Sequence, residues 1–253
     1  MIKIRNLTKI YDNKIVIDDI DLDVTDGEKL AVIGVSGCGK STLLKLIMGI
    51  EKPEKGSIEI NGQDIKKLEG KALNEIRKKI NMVFQYSALF DSMTVGQNVG
   101  FGLEHLKHLK EKEKEMIVGQ MLEDVGLSGI QSKMPAELSG GMQKRIGIAR
   151  AIAPNPEVVL YDEPTTGLDP VRSTIIEDLI NKMNQKFKVT SLIITHQVST
   201  IYRTANRIAM MYDGKLYDVG SQEEAKKSKI KKVRDFLEGN TEYLTSEEEL
   251  NYG

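Results

Sequence analysis

The sequence predicts an α/β fold with a helical insertion, and three observations carry that expectation. KLAVIG (29–34) is a compact apolar run that ends in glycine, as a buried parallel strand would. EVVLYDE (157–163) and VTSLIITH (189–196) are further runs rich in β-branched residues and bounded by polar turns. From about Thr94 to Ala153, by contrast, strand signals are few and apolar residues recur at helical spacing.

The elements follow in chain order. Alternation in IDDIDLDV (Ile20, Leu22, Val24) and in SIEI (Ile58, Ile60) predicts half-buried strands near the N-terminus. After Lys40, STLLKLIMG stays apolar and closes on Gly49, a helix with its C-cap. In the insertion, Val118, Leu122 and Val125 share one helical face, and Met142, Ile146, Ala149 and Ala153 another. The methionines on these faces read as core filling. LKHLKEKEKE (106–115) is a charge run, a solvated helix or loop face. PVRSTIIEDLINKMN reads as a helix with Pro170 at its start, and a C-terminal extension begins near Ser221.

Composition narrows the function classes. A chain of 253 residues is one large domain or two small ones. Lys and Arg number 36 against 37 Asp and Glu, a balance that argues against nucleic acid as the main partner. No apolar run approaches the roughly 20 residues that span a bilayer, and MIKIRNLTKIYDNK has no signal-peptide core. Cys38 is the one cysteine, so no intrachain disulfide forms and a reducing cytosol fits. The chain is expected to be cytoplasmic, with any membrane work done through a partner.

Two motifs carry chemistry. GVSGCGKST, from Gly34 through Val35, Ser36, Gly37, Cys38, Gly39, Lys40 and Ser41 to Thr42, matches G-x-x-x-x-G-K-[ST]. It follows a predicted strand and opens a predicted helix. Its glycines let backbone N–H groups turn inward as an anion nest, to which the helix N-terminus adds its positive end. Lys40 would reach the β- and γ-phosphates and the Ser41 hydroxyl would ligate Mg2+; of Cys38 only the backbone is needed. VVLYDEP (158–164) is a hydrophobic strand ending in two carboxylates, the way a nucleotide-binding sheet presents acids to a metal and a water. Asp162 would hold Mg2+ through water, and Glu163 would polarise the attacking water.

A second glycine-led helix start, ELSGGMQKRIGIARAI (137–152), follows about a hundred residues later. LSGG at 138–141 resembles the signature of ATP-binding cassette (ABC) ATPases. In that family two cassettes pack head to tail, and each signature caps the γ-phosphate held by the other subunit. Ser139, the Gly140 and Gly141 amides, Met142 and the following helix dipole would form this second anion site. ATP can then act as glue between two chains.

Other family motifs fall in order. Tyr11 matches the aromatic that stacks on adenine, or is an ordinary edge-strand aromatic, and Val16 lines the same pocket. Gln85 in MVFQ matches the glutamine joining the metal site to the helical subdomain, and is a Mg2+ ligand with Ser41 and Asp162. Asp169 in TGLDP matches the loop that crosses the dimer interface. His196 in IITHQ matches the switch histidine, so the catalytic set is Glu163, Gln85 and His196. The resemblance implies a P-loop NTPase with a RecA-like core, an N-terminal antiparallel β-subdomain and a helical ABC subdomain. It places the ATPase domain at residues 1–220, the helical subdomain at about 94–153 and the extension at 221–253. Two positions depart from the family pattern. Met142 stands where most cassettes carry Gln, and Gln197 where Asp often follows the histidine.

Finer features resemble the cassettes of Mce-type lipid transporters, including the lipid-asymmetry system: SALFDSMTVGQNV (87–99), ELSGGM and VRDFLEG (233–239). There a homodimer of ATPases drives an integral membrane permease from the cytoplasmic face of the inner membrane. An Mce-domain lipid-binding protein and a small STAS-domain protein can be attached. Phe90, Met93 and Val95 either form a permease-docking patch or pack inside the helical subdomain. The extension ending SEEELNYG either reaches the other cassette or is an acidic, loosely ordered tail. Phospholipid is the expected cargo, with a small-solute importer or an iron–sulfur assembly ATPase as the alternatives.

Overall fold

The computed structural model describes residues 1–106 and 108–240. They form two compact units, one of residues 1–77 with the chain from Leu192 onward, the other of residues 78–191.

The first unit opens with a hairpin of β1 (Ile2–Tyr11) and β2 (Lys14–Val24). Asp12 and Asn13 join them with φ of 46° and 64°, the left-handed pair that a two-residue hairpin turn requires. The aspartate-rich alternation of β2 buries Ile20, Leu22 and Val24 and turns Asp19, Asp21 and Asp23 outward. β3 (Lys29–Ile33) is buried from Leu30 onward and leads through the glycine-rich loop into α1 (Lys40–Ile47). That helix closes as the sequence predicts, with Gly49 N donating to Leu46 O and Ile50 N to Lys45 O. β4 (Lys55–Ile60) and β5 (Gln63–Asp64) complete an antiparallel sheet in the order β2-β1-β4-β5, and α2 (Gly70–Arg77) follows.

The second unit is mostly helical: β6 (Ile80–Val83), α3 (Val95–Gly100), α4 (Glu111–Asp124), α5 (Gly140–Ile152), β7 (Val158–Asp162) and α6 (Pro170–Phe187). β6 and β7 pair in parallel, from Ile80 opposite Val158 to Val83 opposite Tyr161. Val118, Leu122, Val125, Ile146, Ala149 and Ala153 are buried as their spacing predicts. Met142 is only half-buried, because it lies in the first turn of α5. The second half of the charge run becomes the start of α4, whose Glu113 carboxylate accepts from Lys110 N. Val95 is corrected here. It is the first residue of α3, behind the Thr94–Gln97 capping box, and is 0% exposed, so it is core and offers nothing to a partner. Phe90 is 40% exposed and Met93 half-buried.

The chain then forms β8 (Thr190–Ile194), within which the division between the units falls, α7 (Val198–Thr204), β9 (Arg207–Tyr212), β10 (Lys215–Ser221), α8 (Gln222–Lys226) and α9 (Lys231–Glu238). β9 runs parallel to β3, Leu30 opposite Arg207 through Ile33 opposite Met210, and antiparallel to β10. Residues 221–240 are not a loose tail. Ala225, Val233 and Phe236 enter one apolar cluster with Ala31, Ile33, Ile208 and Met210. The end SEEELNYG lies outside the described residues.

Candidate functional site

In the first unit the glycine-rich loop is shaped by its own neighbours. β3 delivers Gly34 with φ of 150°, where a Cβ would stand 2.2 Å from the backbone oxygen of Met211. No other residue fits beside β9 there. Gly39, with φ of 103°, is the N-cap of α1, and its Cβ would meet the Val16 carbonyl at 3.0 Å. The β1–β2 hairpin therefore lies against the loop through Val16. Lys40 is buried, at 7% exposure, and its ammonium donates to Gly34 O and Val35 O, both at 2.7 Å. Cys38 lies 3.7 Å from the same ammonium. Burial nonetheless raises the thiol above its ordinary pKa, so it is no thiolate nucleophile. A loop of this shape, ending on a helix start with a lysine over it, can hold a polyanion.

Tyr11 ends β1 at the mouth of this loop. Its hydroxyl donates to Glu51, and Lys9 Nζ sits 4.9 Å from the ring centroid. Burial, then the Glu51 contact, push the phenol pKa up to about 12, against an opposing hydrogen bond with the Thr42 side chain. Tyr11, Val16, Thr42 and the loop are thus brought together in one unit. His196 is exposed just beyond β8, ahead of Gln197, whose N–H donates to Thr195 Oγ1 at 3.0 Å.

In the second unit the parallel register of β6 and β7 brings Gln85 and the Asp162–Glu163 pair to the same, C-terminal end of two strands. Glu163 has φ of 47°, a left-handed conformation uncommon outside glycine and found at functional sites. Its carboxylate accepts from Thr166 Oγ1 at 3.1 Å. Asp169 is exposed and caps α6 by accepting from Arg172 N at 2.9 Å.

Ser139 is the N-cap of α5, its Oγ accepting from Met142 N at 3.3 Å. Nothing lies within 4 Å of a Cβ built on Gly140 or Gly141. Space is open at both positions. Gln143, in the turn behind, donates to Pro135 O at 3.0 Å.

Sequence reasoning missed Lys144, although a signal was present: a lysine set four and seven residues before the buried Ile148 and Ala151 on an apolar face. At 8% exposure its ammonium donates to Gln85 O and to Pro164 O, both at 3.0 Å. Burial pushes its pKa down and the charge of Glu163 pushes it back up. Arg150, two turns on, was missed as well. It donates to Ala88 O at 2.7 Å and Ser87 O at 2.8 Å.

Among the described residues no cluster of three or more His, Cys, Asp or Glu side chains could hold a metal by itself. The donor set of Ser41, Gln85 and Asp162 is all oxygen with one carboxylate. That fits Mg2+, which keeps several waters and completes its shell with substrate phosphates. No helix among the described residues is long and apolar enough to cross a membrane.

These features have counterparts in known proteins. The family model described as "ABC transporter" matches residues 17–166. The intermembrane phospholipid transport system ATP-binding protein MlaF of Haemophilus influenzae is 39% identical, covering 96% of this chain and 92% of that protein. The methionine import ATP-binding protein MetN of Geobacillus kaustophilus is 38% identical, covering 87% of this chain and 65% of that one. Among solved structures, the dimeric post-hydrolysis state of the ATP-binding cassette MJ0796 bound to ADP and Pi aligns with a TM-score of 0.78. It is 31% identical and covers 85% of this chain and 96% of that one. With a phosphate loop, a strand-end carboxylate pair, a second open helix start and these relatives, the chain belongs to the ABC transporter family and is an ATPase of the P-loop α/β fold.

Proposed function

We propose that two copies of this chain bind two Mg·ATP at a shared face, close around them, and drive a membrane permease from the cytoplasmic side of the inner membrane. The observation that carries this reading is the start of α5. A capped helix with two glycines and open space above them is an anion site that its own chain does not cover. In the proposed dimer Ser139, Gly140, Gly141 and Met142 meet the γ-phosphate held by the partner copy, and Asp169 lies at the interface. The dimeric MJ0796 cassette, to which this chain is similar, supports the same arrangement.

Within each copy the phosphate loop from Gly34 to Thr42 holds the phosphates. Lys40 donates to two loop carbonyls and weakly to Cys38 Sγ, and in the proposed complex its ammonium charge turns to the phosphates. Tyr11 stacks on adenine beside Val16. Ser41, Gln85 and Asp162 would hold Mg2+, which would neutralise charge on the bound phosphates. Glu163 accepts a hydrogen bond from the attacking water, and His196 contacts the γ-phosphate. Water adds to the γ-phosphorus, the bond to the ADP oxygen breaks, and the clamp loses the group that bridged it.

The cargo we propose is phospholipid, supported by the end-to-end likeness to MlaF, with an Mce-domain protein and a STAS-domain protein as further partners. The likeness to MetN favours a second reading, a small-solute importer. Permease docking is assigned to the cavity of about 700 Å³ beside α3 and α4, whose lining includes Met93 and Phe101. Phe90 packs against Phe101 with the rings tilted by 43° and 4.6 Å between centroids. A tagged pull-down from detergent-solubilised native membranes tests the assignment. A permease recovered with an Mce-domain protein and bound phospholipid is expected. A permease with a solute-binding protein would overturn the cargo, and a soluble scaffold without any permease would overturn transport.

A further inference from the structure

The buried ammonium of Lys144 lies between backbone carbonyls of two different loops. One belongs to Gln85, the other to Pro164, the residue after Glu163. Lys144 sits in the second turn of α5, directly behind the open helix start. One turn is therefore tied at once to the loop after β6, to the Glu163 turn and to the proposed trans-phosphate site. Further along the helix Arg150 clamps the same loop at Ser87 and Ala88, which hold left-handed φ of 60° and 44°. Its guanidinium also lies 5.6 Å from the ring centroid of the exposed Phe90. The Glu163 turn holds a strained φ at Glu163, whose backbone carbonyl accepts from Thr166 N at 3.3 Å.

We propose that Lys144 is a positioning residue for hydrolysis: it fixes the Glu163 turn to the Gln85 loop through α5, so that motion of the signature helix and orientation of the water-polarising carboxylate are one event. The proposal rests on the assignment of Glu163 as the group that polarises water. It makes Lys144 different from a residue that binds nucleotide, since its partners are backbone carbonyls. A misplacement of a reacting group by about 1 Å can cost about a hundredfold in rate while binding is kept. The expected signature is therefore a split between turnover and affinity.

The experiment uses the purified full chain as wild type, Lys144→Met, Lys144→Arg and Glu163→Gln. Turnover and KM for ATP are measured, with the Kd of a fluorescent ATP analogue and the thermal midpoint. Lys144→Met, of similar volume without donors, is expected to lower kcat by about tenfold or more. Its analogue Kd should stay within about threefold of wild type, because uniform binding is untouched. Lys144→Arg, which keeps donors and charge, should recover part of the lost kcat. Turnover of Lys144→Met within about twofold of wild type would overturn the proposal. So would a parallel fall of kcat, affinity and thermal midpoint, the mark of a merely structural residue. Should Lys144→Met not fold, the same split is read on Lys144→Gln. Glu163→Gln separates the two assignments: if it keeps wild-type turnover, the Glu163 assignment fails, whereas an inactive Glu163→Gln beside a fully active Lys144→Met sinks only the role of Lys144.

Discussion

The chain builds two glycine-led helix starts, and they are finished in opposite ways. At α1 two of the three loop glycines are hemmed in, Gly34 beside Met211 and Gly39 beside Val16, with no side-chain cap and with Lys40 drawn onto the loop carbonyls. At α5 an ordinary serine cap precedes two glycines whose Cβ positions are open. Crowding at the first start means that the chain itself shapes the anion nest. Openness at the second fits the proposed approach of a partner copy. A helix start that served only its own stability would gain from alanine at those positions, since alanine is the better helix former by about 1 kcal/mol.

This contrast is open to direct attack. The largest difference is expected between two identical substitutions. Gly34→Ala forces a Cβ onto the Met211 carbonyl and should cost about 3 kcal/mol or more, read in chemical denaturation. Gly140→Ala should leave the monomer as stable or up to about 1 kcal/mol more stable, yet lower ATP turnover. Equal stability losses would erase the distinction. Next in size, Ser139→Arg puts a bulky cation at a positive helix end and should cut turnover by about a hundredfold while sparing analogue binding. Lost binding in that variant would move the site from trans to cis. Lys40→Ala should weaken analogue binding by roughly tenfold to a hundredfold, the worth of a charged hydrogen bond. Smallest, Asp169→Ala removes the α6 cap and should cost about 1 kcal/mol in denaturation. An unchanged midpoint would show that the cap contributes nothing.

The same contrast marks what was legible beforehand. Alternation and apolar runs revealed the strands because burial is periodic along them, as in Ile20, Leu22 and Val24. Both helix starts were legible because glycine, serine and lysine spacing encodes anion chemistry directly. What escaped was set by tertiary context. Val95 and Phe90 look alike in sequence, but the capping box at Thr94 turns one inward and leaves the other exposed. The strained φ of Glu163 has no sequence signature at all. Lys144 reads as a solvated charge until its two carbonyl partners are seen. The packing of α9 was hidden because its polar residues mask Val233 and Phe236, both buried in the apolar cluster.

In the proposed dimer ATP joins two copies of this chain head to tail; that is the central claim. Its most direct test is light scattering during gel filtration of Glu163→Gln, with and without Mg·ATP. The account predicts a monomer without nucleotide and a stable dimer with it, carrying unhydrolysed ATP. A Glu163→Gln chain that holds ATP and remains a monomer would contradict it.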